Sequence, residues 1–518
     1  MKNSSALREQ KKSFRAILKK IKHTRYADFT GASSLDETEK FTELFSKYTD
    51  VVDTTNHEQL ISSLRKLTKD KDSNDVRLLN QSNLVGTEKF ENFAYTRRGY
   101  LRPIDAVSIK QIDIIEDYIN YVFKQYKLRR TKADKIFYMF DNASIQYYEG
   151  ADIGDLRALQ LSKAPWYKPR QLPILKDIMP AGQSHAQCLH AMLDQLEKYG
   201  KNITTLVASA RQVVEIGLLY SQRRGEFATF KNLLPNLKVW VNDTGFYTAN
   251  EKLIENVFVG LNVKRVDIYN SVTGALALQD DIKKPGVLTL QTDLGVFYEF
   301  IPIEFVDSRG KVLQSAKRFH AGSVEVGKEY VLAVSNKAGL LSVTTSDVVR
   351  VVNTSPLQIQ YLRRAQSLNS AKENLHAFLI DRLVAALNNV LESYHIVIRD
   401  YLVGYDSFEK RHIWALELSK SPELIDEKIL ASITNRIHKM LMQHSKMYAR
   451  AVDSGDLNAP RVHMMPLGGL AIFEKPKGVH GLDLSDDAEI VNKYAENNIT
   501  RVFQAANVKN ALRRLFHD

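Results

Sequence analysis

The chain has 518 residues, of which 44% are hydrophobic and 25% charged, a balance typical of a globular protein with two or more domains. The formal net charge of +12 is spread along the chain without a nucleic-acid-binding motif, so we expect no nucleic acid partner. The single cysteine, Cys188, excludes an internal disulfide, and no apolar run is long enough to cross a bilayer. Because the N-terminus also lacks the apolar core of a signal peptide, we predict a cytoplasmic protein without a transmembrane segment.

The N-terminal segment 7–23 has apolar residues at the spacing of an amphipathic helix: Phe14, Ile17, Leu18 and Ile21. Its opposite face is basic, which is compatible with a helix that lies on a membrane surface. The simpler interpretation is a helix that docks on the protein and leaves its basic face in water.

Strands and helices alternate between residues 109 and 271. The pattern predicts helices at 109–126, at 184–200 and from Ala210, strands at 135–140, 202–209 and 264–271, and a strand, turn and helix at 235–260. Such alternation predicts a mostly parallel sheet with helices on its faces. Ligands bind at the carboxyl ends of the strands in such sheets, where residues 243–245 and 270–274 would lie.

Two side chains of the helix at 184–200 have a spacing that a metal site can use. His185 and Cys188 are three residues apart and would lie on the same face of the helix. No further cluster of ligands accompanies them, so we predict no metal site here.

The segments 295–305, 329–335 and 348–352 are rich in aromatic and β-branched residues and are bounded by Gly, Asp and Asn. This composition predicts half-buried antiparallel strands. Asp347 stands where the third segment begins, after residues 344–346. A carboxylate at that position is either a turn residue or a group that binds ligand hydroxyls.

Five short motifs in this region, in this order, resemble the acyl acid amido synthetases of the Gretchen Hagen three (GH3) family, first named from auxin-responsive plant genes. Residues 269–274 correspond to Tyr-x-x-Ser-Glu-Gly and residues 297–302 to Phe-x-Glu-Phe-x-Pro. Residues 327–334, 339–340 and 347–351 correspond to the three motifs that follow. The resemblance covers roughly residues 14–475, and its motifs are best between about 235 and 375.

The resemblance implies an adenylate-forming α/β fold with two domains. A large N-terminal domain would span 1–358, with α/β sheets and a small β-barrel at 285–354. A hinge at 359–366 would lead into a smaller C-terminal α/β domain at 367–518. The strands predicted at 395–405 and 411–419, between helices at 370–391 and 422–445, agree with that domain.

The resemblance also implies a two-step ligase reaction. A carboxylic acid attacks the α-phosphate of ATP to give an acyl-adenylate and pyrophosphate, and an amine then displaces AMP to leave an amide. Tyr269 corresponds to the aromatic residue that opens the nucleotide turn, and Asp347 to the carboxylate that holds the ribose hydroxyls. Arg364 corresponds to the hinge arginine near the nucleotide. No residue is assigned to the chemical step itself.

The phosphate loop departs from the family pattern. The segment 84–108 occupies its place but retains only Thr96, Gly99 and, where the family has a lysine, Arg102. Arg97 and Arg98 replace small residues. An arginine pair is still able to hold phosphate, although such a loop lacks the close backbone cradle that glycines allow.

The metal residue departs as well. Thr273 stands where the family has the Glu that coordinates Mg²⁺, and a neutral hydroxyl is a weaker ligand, so the use of Mg²⁺ stays open. Asp280 and Asp281 are either substitutes for that Glu or a solvated acidic pair.

Three functions therefore stay open. The chain is a divergent but active amide synthetase, a catalytically degraded relative that binds nucleotide or acyl ligand, or a scaffold for a protein partner. The sequence names neither the acid nor the amine.

Overall fold

A computed structural model of the chain describes residues 3–68, 79–80, 83–86, 89–95, 101–164, 171–173, 175–178, 185–224, 228–243, 251–307, 310–314, 316–365, 367–370, 373–391, 394, 396–406, 409–418, 426–465 and 500–502. The helices among these residues are Asn3–Ile21, Arg25–Thr30, Phe41–Val51, His57–Thr68, Ala106–Gln125, Leu156–Ser162, Leu175–Ile178, His185–Tyr199, Ala210–Arg224, Phe230–Leu233, Glu251–Val257, Ala377–Leu391, Glu427–His444 and Lys446–Asp453. Short 3₁₀ turns lie at Ala32–Ser34, Gly200–Asn202 and Ile303–Phe305. No described helix is both long and apolar enough to cross a membrane.

The described strands are β1 (Asn92–Tyr95), β2 (Leu101–Pro103), β3 (Lys135–Tyr138), β4 (Gln146–Tyr148), β5 (Ala151–Gly154), β6 (Gln171–Leu172), β7 (Ile203–Ala208), β8 (Val239–Asp243), β9 (Lys264–Asn270), β10 (Leu276–Leu278), β11 (Val287–Leu290), β12 (Phe297–Pro302), β13 (Phe319–His320), β14 (Glu329–Ser335), β15 (Val343–Thr354), β16 (Leu357–Arg364), β17 (Ser367–Ser370), β18 (Glu373–His376), β19 (Ile398–Asp406), β20 (Arg411–Leu418), β21 (Asn458–Met465) and β22 (Thr500–Val502). They form four sheets, in the orders β2-β1-β5-β4, β13-β12-β14-β15-β16-β11-β10-β9-β8-β7-β3-β6, β17-β18 and β21-β20-β19-β22.

The large sheet is parallel in one half, where β6, β3, β7, β8 and β9 lie side by side. Its strands are almost wholly buried, because helices such as Ala106–Gln125, His185–Tyr199 and Ala210–Arg224 cover them and share one apolar core. The parallel α/β arrangement predicted from the alternation of strands and helices is therefore confirmed.

The other half of the large sheet is antiparallel and contains β10 to β16. The strands expected as a barrel at 285–354 are thus hydrogen-bonded in one row with the parallel strands, and they share a core of aromatic and aliphatic side chains. The prediction that a strand begins only at residue 348 was wrong. β15 already begins at Val343, so Asp347 lies within the strand and not at its entrance.

The N-terminal helix Asn3–Ile21 is docked on the protein, as its spacing predicts. Phe14 is fully buried and its ring meets those of Phe41, Tyr48 and Phe297, the last of these on β12. Aromatic contacts of this kind stabilise the folded protein by more than the burial of apolar area alone. The helix therefore supports the strand that carries the Phe-x-Glu-Phe-x-Pro motif.

The glutamate of that motif, Glu299, is structural. It is fully buried, and its carboxylate forms an ion pair of 3.2 Å with Arg318, which also donates to the Ser342 hydroxyl at 2.9 Å and the Thr49 carbonyl at 2.6 Å. Burial raises the pKa of Glu299, and the Arg318 charge opposes that rise. Loss of either partner would leave a buried charge uncompensated, so the pair fixes the N-terminal helices to the sheet.

β16 runs through most of the segment that was expected to be a hinge at 359–366. It pairs with β15 up to Arg364, after which the hairpin β17–β18 leads into the helix Ala377–Leu391. The C-terminal part is an α/β unit, as predicted, with a core of its own built from β19, β20, β21 and the helices around them. Beyond residue 465 only β22 lies within the described residues. The domain limits stay predictions.

Candidate nucleotide and acyl-acid site

The turn after β9 is built into the protein from two sides. The Gly274 N–H donates to the Ser271 carbonyl at 2.9 Å, which closes the turn, and Gly274 has a φ of +88°. From the helix Ala106–Gln125, Gln111 donates to the Gly274 carbonyl at 2.8 Å; from the turn after β14, Asn336 donates to the Thr273 carbonyl at 3.0 Å. These bonds join the first of the five motifs to the helix Ala106–Gln125 and to the turn after β14.

Thr273 points inward. It is 1% exposed, and its hydroxyl shares a hydrogen bond of 3.0 Å with the hydroxyl of Ser271. Among the described residues no group of three or more His, Cys, Asp or Glu is placed to hold a metal ion. Two buried hydroxyls that satisfy each other are poor ligands for Mg²⁺, which prefers carboxylate and phosphate oxygens. The residues at this turn therefore do not fit the metal site that the resemblance implies.

Asp280 and Asp281 do not replace the missing carboxylate. β10 runs antiparallel to β9, with Leu276 opposite Asn270 and Leu278 opposite Ile268, so the acidic pair lies toward the other end of β9. Asp281 accepts from the Lys283 N–H at 3.0 Å and lies 3.7 Å from the Lys284 ammonium. The interpretation of these residues as a surface acidic pair is the one that fits their positions.

Asp347 is presented by an irregularity in β15. The ladder between β14 and β15 shifts between the pairs Val331–Val348 and Ala333–Thr344, so residues 345–347 bulge out of register. Ser346 adopts a φ of +61°, which is costly for a residue with a side chain. The Ser346 carbonyl accepts from the Ala365 N–H at 2.9 Å, and the Thr345 hydroxyl donates to the Leu332 carbonyl at 3.2 Å. Bulges of this kind are common beside active sites, where they redirect a side chain.

Tyr269 and Asp347 meet although 78 residues separate them. The Tyr269 hydroxyl donates to Oδ2 of Asp347 at 2.7 Å, and both side chains are buried. Tyr361 of β16 lies against the Tyr269 ring at 6.3 Å between centroids, and Arg364 stands opposite Asp347 in the β15–β16 ladder. Three of the residues predicted for the nucleotide site are therefore brought together at one point of the sheet.

The predicted phosphate loop connects β1 to β2. Arg102 lies on β2 and pairs with Ala94 of β1. Its side chain is 1% exposed, and Nε and Nη2 have no hydrogen-bond partner among the described residues. Burial lowers the pKa of its guanidinium to about 9, and the nearby Tyr26 opposes that shift. Thr96, Arg97, Arg98 and Gly99 lie outside the described residues, so their predicted roles stay predictions.

A second polar cluster lies at the carboxyl ends of the parallel strands. Asp243 ends β8 and forms an ion pair with the buried Arg157, whose guanidinium stacks over the Tyr138 ring at 5.4 Å. Asp155, which caps the helix Leu156–Ser162, lies close to Asp141, and burial followed by that neighbouring charge raises its pKa to about 6. The sequence analysis expected ligands near 243–245 but did not single out Arg157 or Asp155, because nothing local in the sequence shows that the helix Leu156–Ser162 is buried.

Cys188 is fully buried, and burial raises the pKa of its thiol to about 12. A thiol with such a pKa stays protonated at neutral pH and is a poor nucleophile. It contributes to the core between the helix His185–Tyr199 and the parallel strands.

Apolar contacts join these parts of the site. Ala94 at the end of β1, Ile104 after β2, Leu156 beside Arg157 and Val272 of the turn belong to one cluster. The flanks of the phosphate-loop segment, the turn after β9 and the helix that carries Arg157 therefore share one apolar cluster.

Comparison with known proteins agrees with this architecture. The model of the GH3 family central domain matches residues 289–364. A structure of GH3.15 acyl acid amido synthetase is 14% identical, with a TM-score of 0.69 over 99% of this chain and 94% of that chain. Another, of AtGH3.15 in complex with 2,4-DB, is also 14% identical, with a TM-score of 0.67 over 99% and 93%. 2-Hydroxyisobutyryl-CoA ligase in complex with 2-HIB-AMP is 10% identical, with a TM-score of 0.57 over 100% and 92%.

No curated protein sequence matches the chain. The resemblance inferred from the motifs is nevertheless confirmed, because the matched region spans β12 to β16, the strands that present Asp347. The chain thus has the fold of the adenylate-forming enzymes, and its residues 289–364 match the central domain of the GH3 family.

Proposed function

We propose that the chain is an ATP-dependent acyl acid amido synthetase, which adenylates a small carboxylic acid and passes the acyl group to an amine. The observation that carries this proposal is the bulge in β15, which turns Asp347 toward Tyr269 and holds it there. A backbone distortion with a positive φ persists only where the surrounding structure supports it, and such positions are concentrated at functional sites.

In this proposal Asp347 accepts hydrogen bonds from the ribose hydroxyls of ATP, and Tyr269 orients the carboxylate for them. A carboxylate fixed by one donor loses little conformational freedom when it binds a second and a third. Arg364 pairs with Asp347 in the β15–β16 ladder, and we assign it to the nucleotide as well. Tyr361, next to Tyr269, adds an aromatic surface at the same point.

Arg102 is the residue we assign to the phosphates, together with Gly99 and its neighbours. Two buried guanidinium nitrogens without a partner would be satisfied by phosphate oxygens, which bind arginine through charge-assisted hydrogen bonds. During adenylation a carboxylate oxygen of the acid attacks the α-phosphorus and pyrophosphate leaves. Charge from Arg102 would offset part of the negative charge that develops there. The proposed adenylation assigns no role to Mg²⁺, because the turn at Thr273 does not fit a metal ion.

The test is exchange of labelled pyrophosphate into ATP across a panel of aromatic, hydroxy and amino acids. We expect exchange that depends on one class of acid and that falls below detection in Asp347→Ala. Asp293→Ala, which changes an exposed aspartate near the same sheet, is the matched control and should exchange like the wild type. Absence of exchange with every acid, combined with AMP binding by calorimetry, would instead favour a nucleotide-binding relative without catalysis. Absence of both would favour the protein scaffold.

A further inference from the structure

Arg157 is a buried cation whose hydrogen-bonding capacity is only partly used. The residue is 6% exposed, and Nη2 of its guanidinium is engaged by Asp243. Nε and Nη1 are shielded from solvent and have no hydrogen-bond partner among the described residues. Since buried N–H groups are nearly always satisfied in native proteins, two such groups on one side chain indicate that a ligand supplies the acceptor.

The position of Arg157 fits a ligand of the proposed reaction. Its neighbour Leu156 belongs to one apolar cluster with Ala94 of β1, and Val272 of the turn after β9 packs against that cluster. Its partner Asp243 stands at the carboxyl end of β8, the edge at which sheets of this type bind ligands. Arg157 therefore lies beside the segment that would hold the nucleotide, on the side of the parallel strands.

The charges around Arg157 decide which acceptor fits. Asp243 already balances the positive charge of the guanidinium. Asp155 and Asp141 lie close by and add negative charge, while the Gln212 amide donates to Asp141 at 2.9 Å. A second carboxylate would be repelled by these groups in a region of low dielectric constant. An uncharged oxygen accepts the same hydrogen bonds without that repulsion.

We propose that Arg157 donates from Nε and Nη1 to an uncharged oxygen on the acyl chain of the substrate. The preferred acid then carries a keto, hydroxyl or ether oxygen at a distance from the carboxyl group that reacts. This inference rests on the proposed function, because it assigns a specificity-determining residue to that same site.

The test uses a matched set of acids of equal length, in which one position is an uncharged oxygen function, a methylene or a second carboxylate. In pyrophosphate exchange we expect the wild-type protein to prefer the oxygenated acid over the methylene analogue by roughly 100-fold or more in kcat/KM, since a site built to donate hydrogen bonds rejects an analogue that lacks the acceptor. The double variant Arg157→Met/Asp243→Asn, which removes both partners of the ion pair, should lose this preference. Arg157→Gln, which keeps a donor, should retain part of it.

Arg211→Met is the control, because Arg211 is a buried arginine on a neighbouring helix that already pairs with Glu215 at 2.8 Å. It should leave the ratio between the acids unchanged. Thermal unfolding of each variant identifies those that do not fold. If the wild-type protein exchanges no pyrophosphate, the proposed function fails, and the same acids are then compared by calorimetric binding. Equal ratios in the wild type and in the Arg157 variants, in either assay, or a preference for the dicarboxylate, would overturn the inference about Arg157.

Discussion

The contact between Tyr269 and Asp347 allows the nucleotide assignment to be tested quantitatively. Asp347→Ala removes the carboxylate, Asp347→Asn keeps its shape without the charge, and Tyr269→Phe removes only the hydroxyl that orients it. Each variant changes one property of the same buried pair. Because the β15 bulge is held by backbone bonds and by Thr345, the strand should keep its course in all three.

The expected magnitudes follow from the hydrogen bonds at stake. Two charge-assisted bonds from ribose hydroxyls, replaced by none, should cost about 2–4 kcal/mol of binding free energy, since the net contribution of each lies at about 1.5–3 kcal/mol and they are not additive. Asp347→Ala should therefore weaken AMP binding roughly 30-fold to 1000-fold. Tyr269→Phe costs one neutral donor, about 1 kcal/mol or roughly 5-fold, and that loss should vanish when Asp347 is already alanine.

Isothermal titration calorimetry of AMP measures these affinities directly, and a thermal melt of each variant shows whether it remains folded. An AMP affinity that is equal in wild type and Asp347→Ala would place the ribose elsewhere. Additive effects of the two substitutions would mean that Tyr269 does not act through Asp347. Either result would contradict the nucleotide site that we infer from the contact between Tyr269 and Asp347.

Four further predictions follow from single buried positions. Mg²⁺ should hardly change the affinity for ATP in the wild-type protein, and Thr273→Glu should lower thermal stability, because it buries a carboxylate, while restoring dependence on Mg²⁺. Arg102→Met should raise stability by about 1 kcal/mol or more at pH 7, because the guanidinium is still charged at that pH and its burial costs free energy. The same substitution should weaken ATP binding. Gly339→Ala should lower stability by roughly 2–4 kcal/mol, because a Cβ would lie 2.2 Å from the Val85 carbonyl oxygen at a residue with a φ of +85°. Asp155→Asn should gain stability over the wild type, on the order of 2 kcal/mol, as pH rises from about 4 to about 6, because the folded-state pKa of about 6 exceeds the model-compound value of 3.8.

Denaturant unfolding and ATP calorimetry check these four, and two of them have matched control variants. Thr273→Gln matches the size of Glu without its charge, so equal Mg²⁺ dependence in both variants would contradict a metal role. Unchanged ATP affinity in Arg102→Met would remove Arg102 from the phosphate site. Gly286→Ala shares the positive φ of Gly339 but meets no atom within 4 Å, so a similar loss in both would exclude the contact with Val85 as the cause. A pH-independent difference for Asp155→Asn would show that its carboxyl group is not perturbed in the folded state.

The sequence by itself determined the fold class and most of the elements. The alternation of apolar strands and amphipathic helices between residues 109 and 271 specifies a parallel sheet, because strands buried on both faces read as continuous apolar runs. Both ends of the strand at 329–335 were predicted correctly, because Gly and Asn residues lie close to its two ends and break the strand pattern. The motifs also selected Tyr269 and Asp347, residues that are far apart in the chain.

Only the tertiary structure decided how these residues act. Neither the bulge at 345–347 nor the hydrogen bond across 78 residues has a local signal, because both depend on the register between strands that are not adjacent in sequence. The antiparallel return of β10 carries Asp280 and Asp281 away from Thr273, although they are close to it in sequence. Arg157 looks like a surface arginine until the packing of its helix buries it. Side-chain periodicity encodes which face of an element is buried, whereas the chemistry of a site depends on which buried faces meet.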